Sequence, residues 1–332
     1  MKDQMLYENN GSTLYQQIIS YIEEGIAQQK FKRGDKLPSI NKLCLAFSVS
    51  RDSVLLAYQI LKKRGIVYSV LGKGYFVKSE FLSHQERYFL LFDELNAFKE
   101  DLYNSFLESI NHRAQVEIFF HHFNLKMFQK LIDEARGNYT HYIIMPSNLV
   151  GVATFIKTLP KSDVYILDQT NQSLSEFSAI YQDFEKNMFD ALCEGKHLLD
   201  KYQKLILIYP GFKEPEGMVT GFLKFVNEFN FENEILTTFE QTSISKGDVF
   251  VIPNDRDLVR VVEQGTKQQL VLGTDYGVIS YNDTPLKKIV ENGITTISTD
   301  FYMMGKTLAM ITLNNESGQF ENEARLIIRN SL

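Results

Sequence analysis

Apolar positions along the chain change their spacing near residue 87. Before that point they recur at helical intervals. Tyr15, Ile18, Ile19, Ile22 and Ile26 predict a first helix, and Ile40, Leu43 and Phe47 a short second one. Pro38 and Ser39 stand where the second helix should begin, one presetting the backbone and the other able to cap it. Val54, Ala57, Tyr58 and Leu61 predict a third helix, with Ser50 as its N-cap, Asp52 suited to the positive end of its dipole, and Gly65 at its stop. From Ile66 to Val77 the spacing alternates and is broken by Gly72-Lys73-Gly74, which predicts a two-stranded wing with Lys73 at its tip. Helix, helix and basic wing together describe a winged helix-turn-helix.

After residue 87 short apolar runs at 88–92, 116–120, 142–145, 164–167, 204–208, 249–252 and 278–281 alternate with longer amphipathic stretches. The clearest of those helical stretches are 102–110, 127–135, 184–199 and 217–229. Alternating strand and helix predicts an α/β fold with parallel sheets covered on both faces, and about 245 residues of it divide naturally into two lobes. The expected organisation is a small winged unit over 1–78 with a frayed lead-in over 1–11, a polar linker over 79–87, and a two-lobed unit over 88–332.

Charge sharpens this division. Residues 1–80 hold 12 Lys or Arg against 7 Asp or Glu, a net of +5, whereas residues 81–332 hold 23 against 34, a net of −11. A basic head on an acidic body suits phosphate contact by the head alone. With 44% hydrophobic residues both units can bury cores. No apolar run is long enough to span a bilayer and the polar N-terminus carries no signal pattern, so a cytoplasmic protein without membrane contact is expected. Cys44 and Cys193 lack metal-type spacing and read as buried thiols.

Candidate chemistry follows from position. Ser50, Arg51 and Ser53 occupy the exposed first turn of the third helix and Gly72 and Lys73 the wing, a set able to reach phosphates and base edges. In open α/β sheets ligands lie at the carboxyl ends of strands, where this chain places Asp93, Asn96, Asp168, Asp183, Asn254, Asp255 and Asn282. Asp and Asn match vicinal hydroxyls, and Phe98 or Phe239 can offer a ring face to a sugar. Any one of these residues also reads as a cap on the helix that follows; their recurrence favours a cleft.

The residues carry two resemblances. Leu14-Tyr15-Gln16-Gln17-Ile18, Gly34-Asp35-Lys36-Leu37-Pro38-Ser39, Val49-Ser50-Arg51-Asp52-Ser53-Val54 and Gly72-Lys73-Gly74-Tyr75-Phe76-Val77 resemble, in order, the opening helix, turn, recognition helix and wing of the GntR family of bacterial transcription regulators. The likeness covers 12–78 and implies operator binding. It departs at Asn41, followed by Lys42, where many members place an Arg, and at Leu55, so Asn41 and Lys42 join the expected DNA contacts and the preferred operator differs. From 87 onward, Phe92-Asp93-Glu94-Leu95-Asn96-Ala97-Phe98, Tyr165-Ile166-Leu167-Asp168, Ile252-Pro253-Asn254-Asp255 and Ser280-Tyr281-Asn282-Asp283-Thr284-Pro285-Leu286 resemble landmarks of the periplasmic-binding-protein-like effector domain of LacI/GalR regulators. Thr295-Thr296-Ile297-Ser298-Thr299-Asp300, with Gly305 beyond, resembles its crossover. Here too there are departures: Met218 replaces a sugar-clamping Arg, and the helix before Val249 is squeezed into 241–247.

These resemblances imply a homodimeric, ligand-responsive regulator, most simply a repressor, that binds a palindromic operator and is relieved by a monosaccharide. The acidic or neutral strand ends favour an uncharged polyol such as a monosaccharide, although Lys213 or Arg256 can enter the cleft; the resemblance implies a pentose or deoxyhexose, and a purine, an amino acid or a sugar phosphate stays open. An enzyme is the weaker expectation. The chain shows no nucleophile elbow, phosphate-binding Gly-rich loop or metal cluster, and His121-His122 reads as an end-of-strand coincidence. No cofactor and no metal are expected.

Overall fold

The computed structural model describes residues 13–78, 86–110, 114–240 and 243–332. The head comprises α1 (Leu14–Ala27), α2 (Ile40–Phe47), α3 (Arg51–Lys63) and the antiparallel wing β1 (Val67–Val70) and β2 (Gly74–Val77). Its helices bury one shared apolar cluster, from Ile18 and Ile22 through Leu43 to Val54, Tyr58 and Leu61. Thr13 and Gln16 form a capping box on α1, while Ser39 and Ser50 accept from the backbone N–H of Lys42 and Ser53. Ser48 takes the left-handed backbone that turns the chain from α2 into α3. Tyr58 donates to the carbonyl of Pro38 and stacks on Tyr75, with ring centroids 4.0 Å apart, so α3 is fixed to both the preceding turn and the wing.

Lobe 1 begins with β3 (Arg87–Phe92), α4 (Ala97–Ser109), β4 (Gln115–Phe120), α5 (Leu125–Ala135), β5 (His141–Ile144), α6 (Ala153–Ile156), β6 (Val164–Asp168) and β7 (Ser178–Tyr181). Lobe 2 follows as α7 (Phe184–Glu194), α8 (Lys196–Leu199), β8 (Lys204–Ile208), α9 (Gly217–Phe229), β9 (Glu232–Leu236), β10 (Asp248–Ile252), α10 (Asp255–Lys267), β11 (Gly277–Tyr281), α11 (Pro285–Ile289) and β12 (Thr295–Thr299). The chain then returns to lobe 1 as α12 (Phe301–Leu313) and β13 (Gln319–Glu321), and ends in lobe 2 as β14 (Ala324–Ile327). The sheets run β13-β7-β6-β5-β3-β4 and β14-β12-β11-β10-β8-β9, every pair parallel except β12 with β14.

Three crossings therefore join the lobes, and they are laced together. Asn322 donates from its backbone to Tyr181 and from its side chain to Thr299 Oγ1, and Thr299 donates to the carbonyls of Asn322 and Glu323. On lobe 1, α12 lies close to α4: a Cβ on Gly305 would sit 2.3 Å from the carbonyl oxygen of Leu102. Both sheets bury their central strands fully, which accounts for the continuous apolar runs in the sequence.

The elements differ from the sequence expectation in instructive places. Most of the expected linker (79–85), and the lead-in through residue 12, lie outside the described residues, and Arg87, placed in that linker, already pairs with Gln115 at the start of β3 and β4. The single helix expected over 184–199 is broken after Glu194 by Gly195. β9 carries Glu232 and Glu234 at the sheet edge, paired with Lys204, and so shows no apolar run. Residues 241 and 242 of the compressed segment lie outside the described residues; 243–247 form no helix before β10.

Candidate DNA-contact surface and interlobe cleft

In the head, Arg51, Asn41, Lys42, Ser50, Gly72 and Lys73 are exposed and Ser53 is half-buried. The capped N-terminus of α3 points its first turn outward, and Arg51 Nη1 donates to Asn41 Oδ1 at 3.2 Å, so the two helices present one joined polar edge. Gly72 and Gly74 adopt positive φ, which closes the wing turn and leaves Lys73 at its tip. The arrangement places an Arg, hydroxyls and a Lys on one accessible surface, the groups that phosphates and base edges require.

The cleft lies between the carboxyl ends of the two sheets. Its lobe-1 wall is built around Asp93, just past β3. Asp93 is buried, forms an ion pair with the equally buried Lys99, and accepts from Ser147 Oγ at 2.9 Å and the backbone of Glu94 at 2.6 Å. Burial works against its charge, but Lys99 and these donors outweigh it and hold the carboxyl below the ordinary range. Asp168, at the end of β6, has the opposite balance. Burial raises its pKa, against only the attraction of Lys99 and one hydrogen bond from Gln182 Nε2 at 2.6 Å. Its backbone sits at φ 72°, an uncommon conformation for Asp that turns the chain out of the strand.

Several buried polar atoms at or just past the ends of β6, β7 and β11 have no hydrogen-bond partner among the described residues: Thr170 Oγ1, Gln182 Oε1, Tyr281 Oη and Asn282 Oδ1. Tyr281 feels the charge of Asp168, and both that charge and burial push its hydroxyl pKa far up. Unpartnered buried polar groups are costly, so their recurrence at these strand ends points to polar contacts with something else. Of these groups, Thr170 lines a 370 Å³ recess in lobe 1, with Ser147, Asn148, Gln169 and Asn171. A second cavity of 630 Å³ lies at the hinge between Phe98, Asp101, Asp283, Lys288, Tyr302 and Arg325.

The eight effector positions expected from sequence divide sharply. Asn96, Asp183 and Asn254 cap α4, α7 and α10, accepting from Lys99, Lys186 and Asp257. Asp255 is exposed and pairs with Lys287 at 3.0 Å. Phe98 packs on Phe301 with centroids 4.7 Å apart at the rim of the hinge cavity. Asp93, Asp168 and Asn282 stand in the buried polar group. Phe239, the other expected ring, is buried in the core under α10 against Phe250. Lys213 spans the cleft mouth to pair with Glu94, and Arg256 is exposed.

Sequence reasoning missed Lys99, Ser147, Gln182 and Tyr281. Lys99 lies three residues past the Asn96 cap, where a lysine normally reaches solvent, and only the acidic Asp93 upstream hinted at a buried partner. His121 is a fixed structural group: it is fully buried, holds the carbonyl of Met145 through Nε2 at 3.0 Å and accepts from Phe123 N–H at Nδ1. Burial lowers its pKa, which keeps the ring neutral.

Residues 14–77 match the family described as bacterial regulatory proteins, gntR family. Over 88 residues the chain is 32% identical to the uncharacterized HTH-type transcriptional regulator YydK of Bacillus subtilis, covering 26% of this chain and 36% of that protein. The body is similar in fold to the trehalose repressor from Escherichia coli, with a TM-score of 0.61 and 13% identity over 73% of this chain and all of that one. It is also similar to a periplasmic binding protein/LacI transcriptional regulator from Alkaliphilus metalliredigens solved with D-xylulofuranose, with a TM-score of 0.58 and 15% identity over 74% of this chain and 99% of that one. No single helix among the described residues is long and apolar enough to cross a membrane. The chain thus joins a helix-turn-helix head that matches the gntR family over residues 14–77 to a two-lobed α/β body with the fold of LacI-type regulators.

Proposed function

We propose that this protein is a cytoplasmic, ligand-responsive transcription regulator without enzymatic activity. It binds a palindromic operator through two heads of a homodimer and is relieved of repression by a small neutral sugar, a pentose or deoxyhexose. The observation that carries this reading is the pairing of an exposed, capped α3 with a distant cleft of unpartnered polar groups. One surface is built for phosphates and base edges; the other is built for a hydroxylated molecule.

In the head, Arg51, Ser50 and Ser53 contact the major groove, Asn41 and Lys42 position the helix pair, and Gly72 and Lys73 bring the wing to the backbone. In the cleft, Asp168 and Asn282 accept from sugar hydroxyls, with Asp93 held ready by Lys99 and Phe98 at the rim. Neutrality of the ligand is supported by the cations themselves: Lys99 is matched by Asp93 and Lys213 by Glu94, which leaves neither for a phosphate or carboxylate. Leu286 and Ile289 give lobe 2 an exposed apolar surface that a second copy can cover. Ligand closure of the lobes favours one spacing of the heads over another, and that difference in affinity is the regulatory signal.

Thermal shift across sugars, sugar phosphates, nucleobases and amino acids tests the reading, because a ligand that binds only the folded state raises the melting temperature. A neutral monosaccharide is expected to raise it and to weaken operator binding. A response confined to phosphorylated or nitrogenous compounds would overturn the assigned ligand class.

A further inference from the structure

The head rests on lobe 1. Arg64, the C-cap of α3, pairs with Glu23 of α1 at 3.2 Å and also donates to the carbonyl oxygen of Gly137 at 3.4 Å, in the turn between α5 and β5. Ile60 and Tyr15 close over the same glycine. A Cβ built on Gly137 would lie 2.7 Å from Ile60 Cδ1 and 3.5 Å from Tyr15 Cε2. Ile60 is buried, and the Tyr15 hydroxyl is buried with no hydrogen-bond partner among the described residues.

The lobe-1 side of this contact is tied into the core of lobe 1. Gly137 holds φ 73°, which favours glycine, and donates its N–H to the buried Tyr142 hydroxyl at 2.8 Å. Tyr142 in turn donates to the carbonyl of Ala135 at 3.2 Å and packs in the core between the sheet and α5. The contact uses the C-terminal end of α3. Ser50 and Arg51 stand at the other end, about 20 Å away for a helix of this length. Seating the head therefore leaves its reading end open.

We infer that the Gly137 turn is a seat for the head, so that head and lobe 1 move as one body and lobe 1 sets the direction in which α3 points. The partner of this surface is the chain's own α1–α3 face, held by one guanidinium shared between a carboxylate of the head and a carbonyl of the body, with Ile60 as the apolar plug.

Distance measurement between two spin labels tests this on the full chain. Cys44 and Cys193 are replaced by Ser, labels are attached through Gln28→Cys in the head and Lys130→Cys on α5, and labelled protein is diluted with unlabelled protein. A single narrow distance distribution is expected. Arg64→Glu should broaden it, because the new carboxylate repels Glu23 and the donor to Gly137 is lost. Gly137→Val, which leaves the head sequence intact, should broaden it equally by displacing Ile60. A broad distribution in the chain with native Arg64 and Gly137 overturns the inference, and so does a narrow one that both substitutions leave unchanged. Neither DNA nor effector is present, so the result is independent of the operator reading.

Discussion

The head and the cleft use polar side chains in opposite ways. Around α3 the polar groups are exposed, and their local bonds are to one another: Ser50 with Ser53, Arg51 with Asn41. Between the lobes the bonded groups are buried, and their bonds run to more distant parts of the chain: Ser147 to Asp93 and Gln182 to Asp168. An exposed group costs the fold little, so its identity is free to serve a partner. A buried one must first satisfy the fold, and only what is left unpaired serves a ligand. Stability and binding should therefore separate in the head and be entangled in the cleft.

The largest effect expected from this contrast is on stability, at Lys99. Lys99→Met leaves the Asp93 carboxylate buried without its cation, a change that costs about 3–5 kcal/mol in such pairs. Urea unfolding should show that loss, and Asp93→Asn combined with Lys99→Met should recover most of it. If Lys99→Met alone leaves stability unchanged, the pair is not buried in solution.

Arg51→Ala provides the opposing case. Its guanidinium is exposed, so the melting temperature should stay where it was, while operator affinity falls by roughly 1–3 kcal/mol, the usual worth of a good Arg–base contact. Fluorescence anisotropy on operator DNA reads the loss. Unchanged affinity would remove α3 from the DNA interface.

A smaller effect is expected on the pH dependence of stability. Asp168 has a folded-state pKa raised by burial, so the folded protein holds that proton more tightly than the unfolded chain does. Its contribution to stability is lost as pH rises from the ordinary carboxylate range, about 3.9, through the folded value, and stays lost above it. Asp168→Asn should therefore raise the melting temperature at neutral pH and flatten its dependence on pH. Asp93 has the reverse sign: its lowered pKa contributes stability that disappears as pH falls through the folded value. The two carboxylates, both close enough to feel Lys99, should respond to acid in opposite directions.

The same contrast explains what could be read from the sequence. The head was legible because its signals are local: Ser39 and Ser50 cap helices three residues ahead, and Gly72 and Gly74 close a turn with their neighbours. The central strands were legible because burial on both faces leaves continuous apolar runs. The cleft was legible only as a set of strand ends. Asn96, Asp183 and Asn254 look like Asp93 and Asp168 in sequence, yet three are caps and two are buried groups, and the difference lies in partners brought from elsewhere. Ser147 reaches Asp93 across 54 positions, and Lys213 reaches Glu94 across 119. No local pattern encodes such pairs. Tyr281 was hidden for another reason: it reads as one more apolar strand residue, and only folding aims its hydroxyl toward Asp168.

Asn282 gives the finest test, because there the demands of fold and ligand come apart within the cleft. Its backbone N–H donates to the carbonyl of Ile297, its φ is 58°, and its side-chain Oδ1 is buried with no partner among the described residues. Alanine would confuse two effects by straining the backbone. Asn282→Gly keeps the left-handed conformation at no steric cost and removes only the orphaned amide. The fold loses no side-chain acceptor bond at Oδ1 and sheds an unsatisfied acceptor, against the entropy of one added glycine, so stability should change by no more than about 0.5–1 kcal/mol. Ligand response should vanish. A sugar that shifts the melting temperature of the native chain should leave this variant unmoved, with operator binding in the absence of sugar intact. If the thermal shift survives, Asn282 faces an empty space rather than a ligand, and the acceptor role belongs to Gln182 and Asp168 alone.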